Sequence, residues 1–256
     1  MKIACWNVNS IKSRREHLMR WMHDAQPDVV MLQELKCVAE DFPALDFTGL
    51  GYHAELVGQK TYNGVAILSR IKSKVVHSAL PGDDEDLQAR YIEVDLPDGW
   101  RLINIYVPNG QAVGSDKFAY KMKFYERLRA HIALALATER KVVIGGDFNV
   151  AMQDIDVFDA KVCRGEVLFS DPERAALHSI VNLGLVDCYR AMNPGAHEFS
   201  WWDYRAGGFE RNLGFRIDYL FANAYAAQRL KSATIDKTPR GWEKPSDHTP
   251  VVIELN

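Results

Sequence analysis

The sequence predicts a single α/β domain, and three observations carry that expectation. Strand-like and helix-like segments alternate along the chain. Several strand candidates are short, near-continuous apolar runs, as strands buried on both faces require. The 256 residues contain no linker, low-complexity tract or strong repeat, so one layered core from residue 1 to 256 suits them better than two small ones.

The elements follow in order. Ile3 to Trp6 reads as a buried strand running into Asn7-Val8-Asn9-Ser10. A helix is expected from about Arg14 to Ala25: Leu18, Met22 and Ala25 recur at helical spacing with Trp21 beside them. Ser13-x-x-Glu16 matches a capping box at its start, and Pro27 blocks its continuation. Asp28 to Gln33 is an apolar strand that delivers Glu34 at its end, and Gly64 to Ser69 is another strand. Tyr91 to Leu96 and Trp100 to Val107 flank Pro97-Asp98-Gly99, a hairpin signal. Phe118 to Thr138 reads as a long helix. Lys141 to Gly145 is a strand stopping at Gly146-Asp147-Phe148-Asn149. Pro172 to Leu183 is a helix with proline at its start and Gly184 at its end. The last third is loop-rich and aromatic, with Phe199, Trp201, Trp202, Tyr204, Phe209 and Phe215 before strands at Ile217 to Phe221 and Pro250 to Leu255.

Composition narrows the function classes. Apolar residues make up 47% and charged residues 25%, which excludes a disordered chain. A net charge of -3 argues against a protein that coats nucleic acid, but leaves room for an enzyme with a local basic rim. Cys5, Cys37, Cys163 and Cys188 form no C-x-x-C pair, so buried free thiols are expected. No apolar run reaches membrane-span length, and the first residues lack a signal-peptide pattern. A cytoplasmic protein without a membrane partner is the expectation.

The chemistry gathers where the strands stop, the usual place for sites in α/β sheets. A carboxylate ending an apolar run, such as Glu34, needs a partner or a cation. In Gly145-Gly146-Asp147-Phe148-Asn149, the glycines allow close backbone approach. If the strand continues, Asp147 and Asn149 share a face; the alternative is an Asx turn. Asp247 is a candidate metal ligand, and His248 is placed to contact phosphate or move a proton. Asp218 sits in an apolar strand pattern, and His248 is its natural partner: the acid would fix the tautomer and favour the charged form. Tyr106 and Asn109 end another strand, and Arg90 opens the one before it. Oxygen donors without a Cys or His cluster favour Mg²⁺, with Mn²⁺ as a plausible substitute. Such an ion would reconcile an acidic pocket with a phosphodiester.

Six motifs then occur in order: Trp6-Asn7-Val8-Asn9, Leu32-Gln33-Glu34-Leu35-Lys36, Asn104-Ile105-Tyr106-Val107-Pro108-Asn109, Gly146-Asp147-Phe148-Asn149, Arg216-Ile217-Asp218-Tyr219 and Ser246-Asp247-His248. Together they resemble exonuclease III and the related abasic-site endonucleases of the endonuclease/exonuclease/phosphatase superfamily, to which deoxyribonuclease I also belongs. The resemblance covers essentially the whole chain. It implies a four-layer α-β-β-α sandwich of two packed, mostly antiparallel sheets. It also implies Mg²⁺-dependent cleavage of double-stranded DNA 5′ to abasic sites, often with 3′-5′ exonuclease and 3′-phosphatase or phosphodiesterase action at 3′ ends, by a monomer. By position, Glu34 would be the principal metal ligand, with Asn7, Asp147, Asn149, Asp247 and His248 around it. Asp147 would activate water with Asn149 orienting it, Tyr106 would stabilise the transition state, and His248, oriented by Asp218, would bind phosphate. Trp201, Phe215 and Ile217 would line a pocket for a flipped, base-less sugar, while Trp202 reads better as core. Lys117, Lys121, Lys123, Arg127 and Arg129, with Lys231, Lys237, Arg240 and Lys244 around Trp242, offer a basic rim.

Two other classes share the framework. A lipid- or inositol-phosphate phosphatase would keep the acids and amides but lack reason for the Trp201/Phe215/Ile217 group. A non-catalytic DNA-binding module would have lost some of Glu34, Asp147, Asn149 and His248, and all four are present.

Overall fold

The computed structural model describes residues 1–256. The first half of the chain builds β1 (Lys2–Asn7), β2 (Val29–Gln33), β3 (His53–Val57), β4 (Val65–Ser69), β5 (Lys74–His77), β6 (Tyr91–Leu96) and β7 (Trp100–Tyr106). The second half adds β8 (Lys141–Asp147), β9 (Leu185–Asp187), β10 (Trp201–Trp202), β11 (Gly214–Phe215), β12 (Asp218–Asn223), β13 (Leu230–Ile235) and β14 (Val251–Leu255). Helices are α1 (Ile11–Ala25), α2 (Ala44–Gly49), α3 (Asp116–Leu136), α4 (Ala160–Cys163), α5 (Asp171–Val181), α6 (Cys188–Met192) and α7 (Ala224–Ala227).

Two six-stranded sheets result, ordered β13-β14-β1-β2-β4-β3 and β5-β6-β7-β8-β12-β9. Each holds one parallel pair at its centre, β1 with β2 and β7 with β8, among antiparallel neighbours. Alternation along each strand sorts its residues into layers. Ile3, Cys5, Met31, Val143 and Leu220 face the space between the sheets. Ala4, Trp6, Val30 and Leu32 face Leu18, Trp21 and Met22 of α1. On the opposite side, Ile103, Ile105 and Ile144 meet Phe124, Leu128 and Ile132 of α3 and Leu177 of α5. This is the expected four-layer sandwich. Each large apolar side chain buried in it contributes about 1.5–3 kcal/mol.

Gly145 lets the two sheets close and Gly146 lets β8 pair tightly with β7. A Cβ on Gly145 would stand 2.5 Å from Met31 Sδ of the facing sheet, and one on Gly146 only 2.0 Å from the Ile105 carbonyl oxygen. Between the sheets, Gln33 Nε2 donates to Asn104 Oδ1 at 2.6 Å, and Asn104 Nδ2 donates to the Leu32 and Ala66 carbonyls at 2.9 and 2.8 Å. These bonds tie one sheet to the other just behind the strand ends.

Some local expectations change. Helix α1 starts three residues early: Ser10 is the N-cap and accepts from Ser13 N–H, so Ser13 does not open a capping box. Capping boxes occur instead at Gln153/Asp156 and at the start of α5, where Ser170 and Glu173 are reciprocal. Lys121 and Arg240 are not rim residues. Lys121 is wholly buried, donating to Glu173 and to the Asn109 and Asn149 carbonyls, because an ammonium away from water must find acceptors. Arg240 is buried between the rings of Tyr204 and Phe209. Arg127 pairs with Asp83 and Asp86, and Trp242 is covered by Arg20. Lys117, Lys123 and Arg129 remain exposed on α3. All four cysteines are buried free thiols, and no helix is long and apolar enough to cross a membrane.

Candidate active site where the strand ends of the two sheets meet

The parallel pairs bring the site together. In one sheet Asn7 lies beside Gln33, so Glu34 follows at the same edge. In the other, Asp147 is flanked in register by Tyr106 and by Asp218. Stacking the sheets places these edges face to face. Asn7 bridges them: its Nδ2 donates to Glu34 Oε1 at 2.8 Å and to Asp147 Oδ2 at 2.9 Å. Tyr106 hydroxyl donates to the same Glu34 oxygen at 2.9 Å, and Lys36 Nζ lies 2.9 Å from Glu34 Oε2.

Glu34 has φ 54°, in the left-handed region that costs a non-glycine residue about 1–2 kcal/mol. That turn ends β2 and directs the carboxylate across the edge. Burial raises the Glu34 carboxyl, but Lys36 and the Asn7 hydrogen bond outweigh it and hold it below the usual range.

His248 reaches the cluster from the loop before β14. Its Nδ1 lies 2.9 Å from Asp218 Oδ2, and its Nε2 lies 3.7 Å from Asp147 Oδ2. Ser200 hydroxyl donates to Asp218 Oδ2 at 2.6 Å, which aims the carboxylate. Burial opposes charge on His248, but Asp218 and then Asp147 overcome it and raise the imidazole to about 10. Asp147 is pushed up to about 7: burial is the main cause and the charge of Asp218 adds to it, against the lowering by His248. A base poised near neutrality therefore faces an imidazolium. Tyr106 is driven well above its ordinary value by burial, Glu34 and Asp147, so it is held as a neutral phenol that can donate.

Other expected residues are placed less simply. Asn149 does not continue β8. Its φ of 51° is left-handed, and its backbone N–H donates to Asp147 Oδ1 at 2.9 Å, the Asx turn rather than strand alternation. Its side chain donates to the Val107 carbonyl at 3.0 Å and accepts from Asn109 Nδ2 at 3.0 Å. Asp247 adjoins His248, yet its two oxygens accept from Asn9 Nδ2 and Trp201 Nε1, both at 2.9 Å. Arg90 stacks its guanidinium 4.6 Å above the Tyr106 ring and so braces it.

Trp201 and Phe215 pair across β10 and β11, half-buried, with rings 5.7 Å apart. Trp201 also adjoins the His248 ring at 6.4 Å. Ile217 lies fully buried beneath them, and Trp202 belongs to the core as expected. On the other flank opens a cleft of about 530 Å³ whose walls include Glu34, Lys36, Arg90, Tyr106, Asn109 and Lys117.

Donor atoms of Glu34, Asp147 and His248 lie within 4.8 Å of one another. The two carboxylates supply hard oxygen donors, while His248 is engaged by Asp218 and carries charge. The donor set thus fits a hard dication on the acids better than a zinc-type site. Sequence reading missed Ser200, Asn9, Gln33 and Lys36 as members of the site; Asn9, Gln33 and Lys36 left a signal by standing in the motifs around Asn7 and Glu34.

The model of the Endonuclease/Exonuclease/phosphatase family matches residues 4–248. Exodeoxyribonuclease III of Haemophilus influenzae is 36% identical over 266 residues, with 100% of both chains covered. A 3′ phosphatase from Neisseria, solved bound to product DNA hairpin, superposes with TM-score 0.97 at 38% identity, covering 100% of this chain and 99% of that one. An AP endonuclease from Archaeoglobus fulgidus gives TM-score 0.95 at 36% identity over the same shares.

Proposed function

Because the chain belongs to the endonuclease/exonuclease/phosphatase family, we propose that it hydrolyses DNA with Mg²⁺ at Glu34 and Asp147, 5′ to abasic sites and at 3′ ends. The chain is a DNA-repair nuclease of the exodeoxyribonuclease III type, and its hydrolysis is metal-dependent. The finer reading rests most on one observation, the buried pairing of Asp147 with an imidazolium that Asp218 holds charged.

Each residue then has a task. Asp147, held by Asn7 at the meeting of the strand ends and facing His248, accepts the proton of the attacking water. Asn7 fixes the free carboxylate orientation, and the Asn149 turn holds the other Asp147 oxygen. His248 donates from Nε2 to a phosphate oxygen, with Asp218 and Ser200 fixing its ring. Tyr106 keeps its proton and donates toward the same centre, braced by Arg90. Magnesium, once held by the Glu34 and Asp147 oxygens, supplies the positive charge that a phosphoryl transition state requires; Mn²⁺ suits the same donors. Lys36, Arg90 and Lys117 in the cleft suit the backbone phosphates of DNA. The half-buried Trp201 and Phe215 suit an extruded sugar without a base, whose removal from the duplex is less costly than flipping an intact nucleotide. All of these groups come from one chain, so a monomer suffices.

A substrate panel with Mg²⁺ tests this: duplex with one abasic analogue, nicked duplex with a 3′-phosphate, and blunt duplex. Incision of the first and repair of the second are expected. An uncut abasic duplex beside an efficiently cleaned 3′ end would remove the abasic assignment and leave the phosphodiesterase chemistry standing.

A further inference from the structure

Toward the C-terminal end of α3, a second group of ligating side chains lies outside the active centre. His77 on β5 and Glu93 on β6 are directly paired across the strands, and the register shifts between Val75 and His77. Such an irregularity re-aims a side chain. Here it sets His77 opposite Glu93 on the face that α3 covers. From α3, His131 Nε2 comes within 2.7 Å of Glu93 Oε2, and the two imidazole rings stand 5.1 Å apart, edge to face. One donor atom from each of the three lies within 4.8 Å of the others.

The Glu93 side chain is wholly buried. Its Oε2 also accepts from Tyr91 hydroxyl at 2.7 Å. Its Oε1 accepts no hydrogen bond: Arg101 Nη1 stands 3.1 Å away but out of alignment. That oxygen is ion-paired with Arg101, so Oε2, which His131 Nε2 already approaches, is the one offered to a ligand. Arg101 does not neutralise Glu93 alone, because the same guanidinium is clasped by both Asp95 oxygens at 2.9 and 3.1 Å.

We propose that His77, Glu93 and His131 bind a transition-metal dication, with zinc the best match. Two imidazoles and one carboxylate form a recognised zinc donor set, and a water completes four-coordination. Small side-chain rotations bring the donors to the roughly 2.0–2.2 Å metal distances that such ligands need. Tyr91 then holds the carboxylate from behind, as outer partners of metal ligands commonly do. His77, the member reaching solvent, gives the ion its entry. Hard Mg²⁺ has no reason to choose this site, so it is chemically separate from the acid-lined active centre. The bound ion would staple the edge strand β5 to α3.

The test is zinc affinity of the full-length protein, read by competition with a chromophoric chelator. Glu34→Gln is used as the parent so that zinc at the active centre contributes little. One zinc per chain is expected, with at least about tenfold weaker binding after His77→Ala, whose surface side chain can be removed without opening the core. His131→Gln should weaken it similarly, and zinc should raise the melting temperature of the parent but not of His77→Ala. Zinc binding that is absent from the parent, or unchanged by His77→Ala, overturns the site.

Discussion

Turnover of the Asp147→Asn variant is expected to fall by about 10²–10⁴-fold, the range associated with loss of a general acid or base, while DNA affinity stays near wild type. Asn keeps the shape and can still contact Asn7, but it cannot accept a proton at pH 7. The stability of the metal-free protein should report the same group. Asp147 is raised from 3.8 to about 7 in the folded chain. The native state therefore holds its proton over a window where the unfolded chain has lost it, and the contribution of Asp147 to stability falls as pH rises from about 4 to 7. Asp147→Asn should lack that decline, and Mg²⁺ should offset it in the wild type by binding only the folded form. Urea melts across this pH range, with and without Mg²⁺, check both statements. A rate within threefold of wild type would remove Asp147 as the proton acceptor.

Asp218→Asn is expected to produce a loss of comparable size with a different signature. In wild type the imidazole of His248 is charged up to about pH 10, because Asp218 outweighs burial. Its folded value lies above the unfolded 6.5, so its contribution to stability is complete below about 6.5 and vanishes as pH rises through 10. Without the Asp218 charge and hydrogen bond, burial is opposed only by the charges of Asp147 and Asp247, and the imidazole loses its proton at lower pH. The tautomer held by Asp218 is lost as well, and removal of such an orienting acid lowers turnover by about 10⁴-fold in a well-studied triad. The alkaline limb of the pH–rate profile should move from near 10 toward lower pH, leaving residual activity on the acid side. An alkaline limb that stays in place would separate His248 from Asp218 functionally.

Much of this site was legible in the chain itself. Acids and amides at the ends of apolar runs mark Glu34, Asp147 and Asn7 by sequence alone, because water-poor strands carry such groups only where something binds them. The pairing of Asp218 with His248 followed from the same reasoning and is the contact observed. The supporting groups were not legible. Ser200 acts through a hydroxyl 18 residues away from Asp218, and Gln33 reaches Asn104 across 71 residues. Neither leaves a periodic trace. Lys121 meets Glu173 over 52 residues, so its helical position looked like a solvated face although the side chain is buried. The unforeseen strands include β3, β5 and β13, which lie at sheet edges and are partly exposed, and this weakens the apolar pattern that marked β2 and β8. Of the two geometries open for Asn149, strand alternation and an Asx turn, the turn is the one found, since a left-handed residue breaks strand alternation.

The proposed function converges on a dication held by Glu34 beside Asp147. The rate of DNA cleavage as a function of Mg²⁺ concentration, measured for wild type and for Glu34→Gln, therefore probes the centre most directly. Wild type should be inert in chelator and saturate with Mg²⁺, whereas Glu34→Gln should need about tenfold or more additional Mg²⁺ and remain slower at saturation. Cleavage that persists in chelator, or a Glu34→Gln curve overlying that of wild type, would contradict a metal-dependent site built on the strand ends.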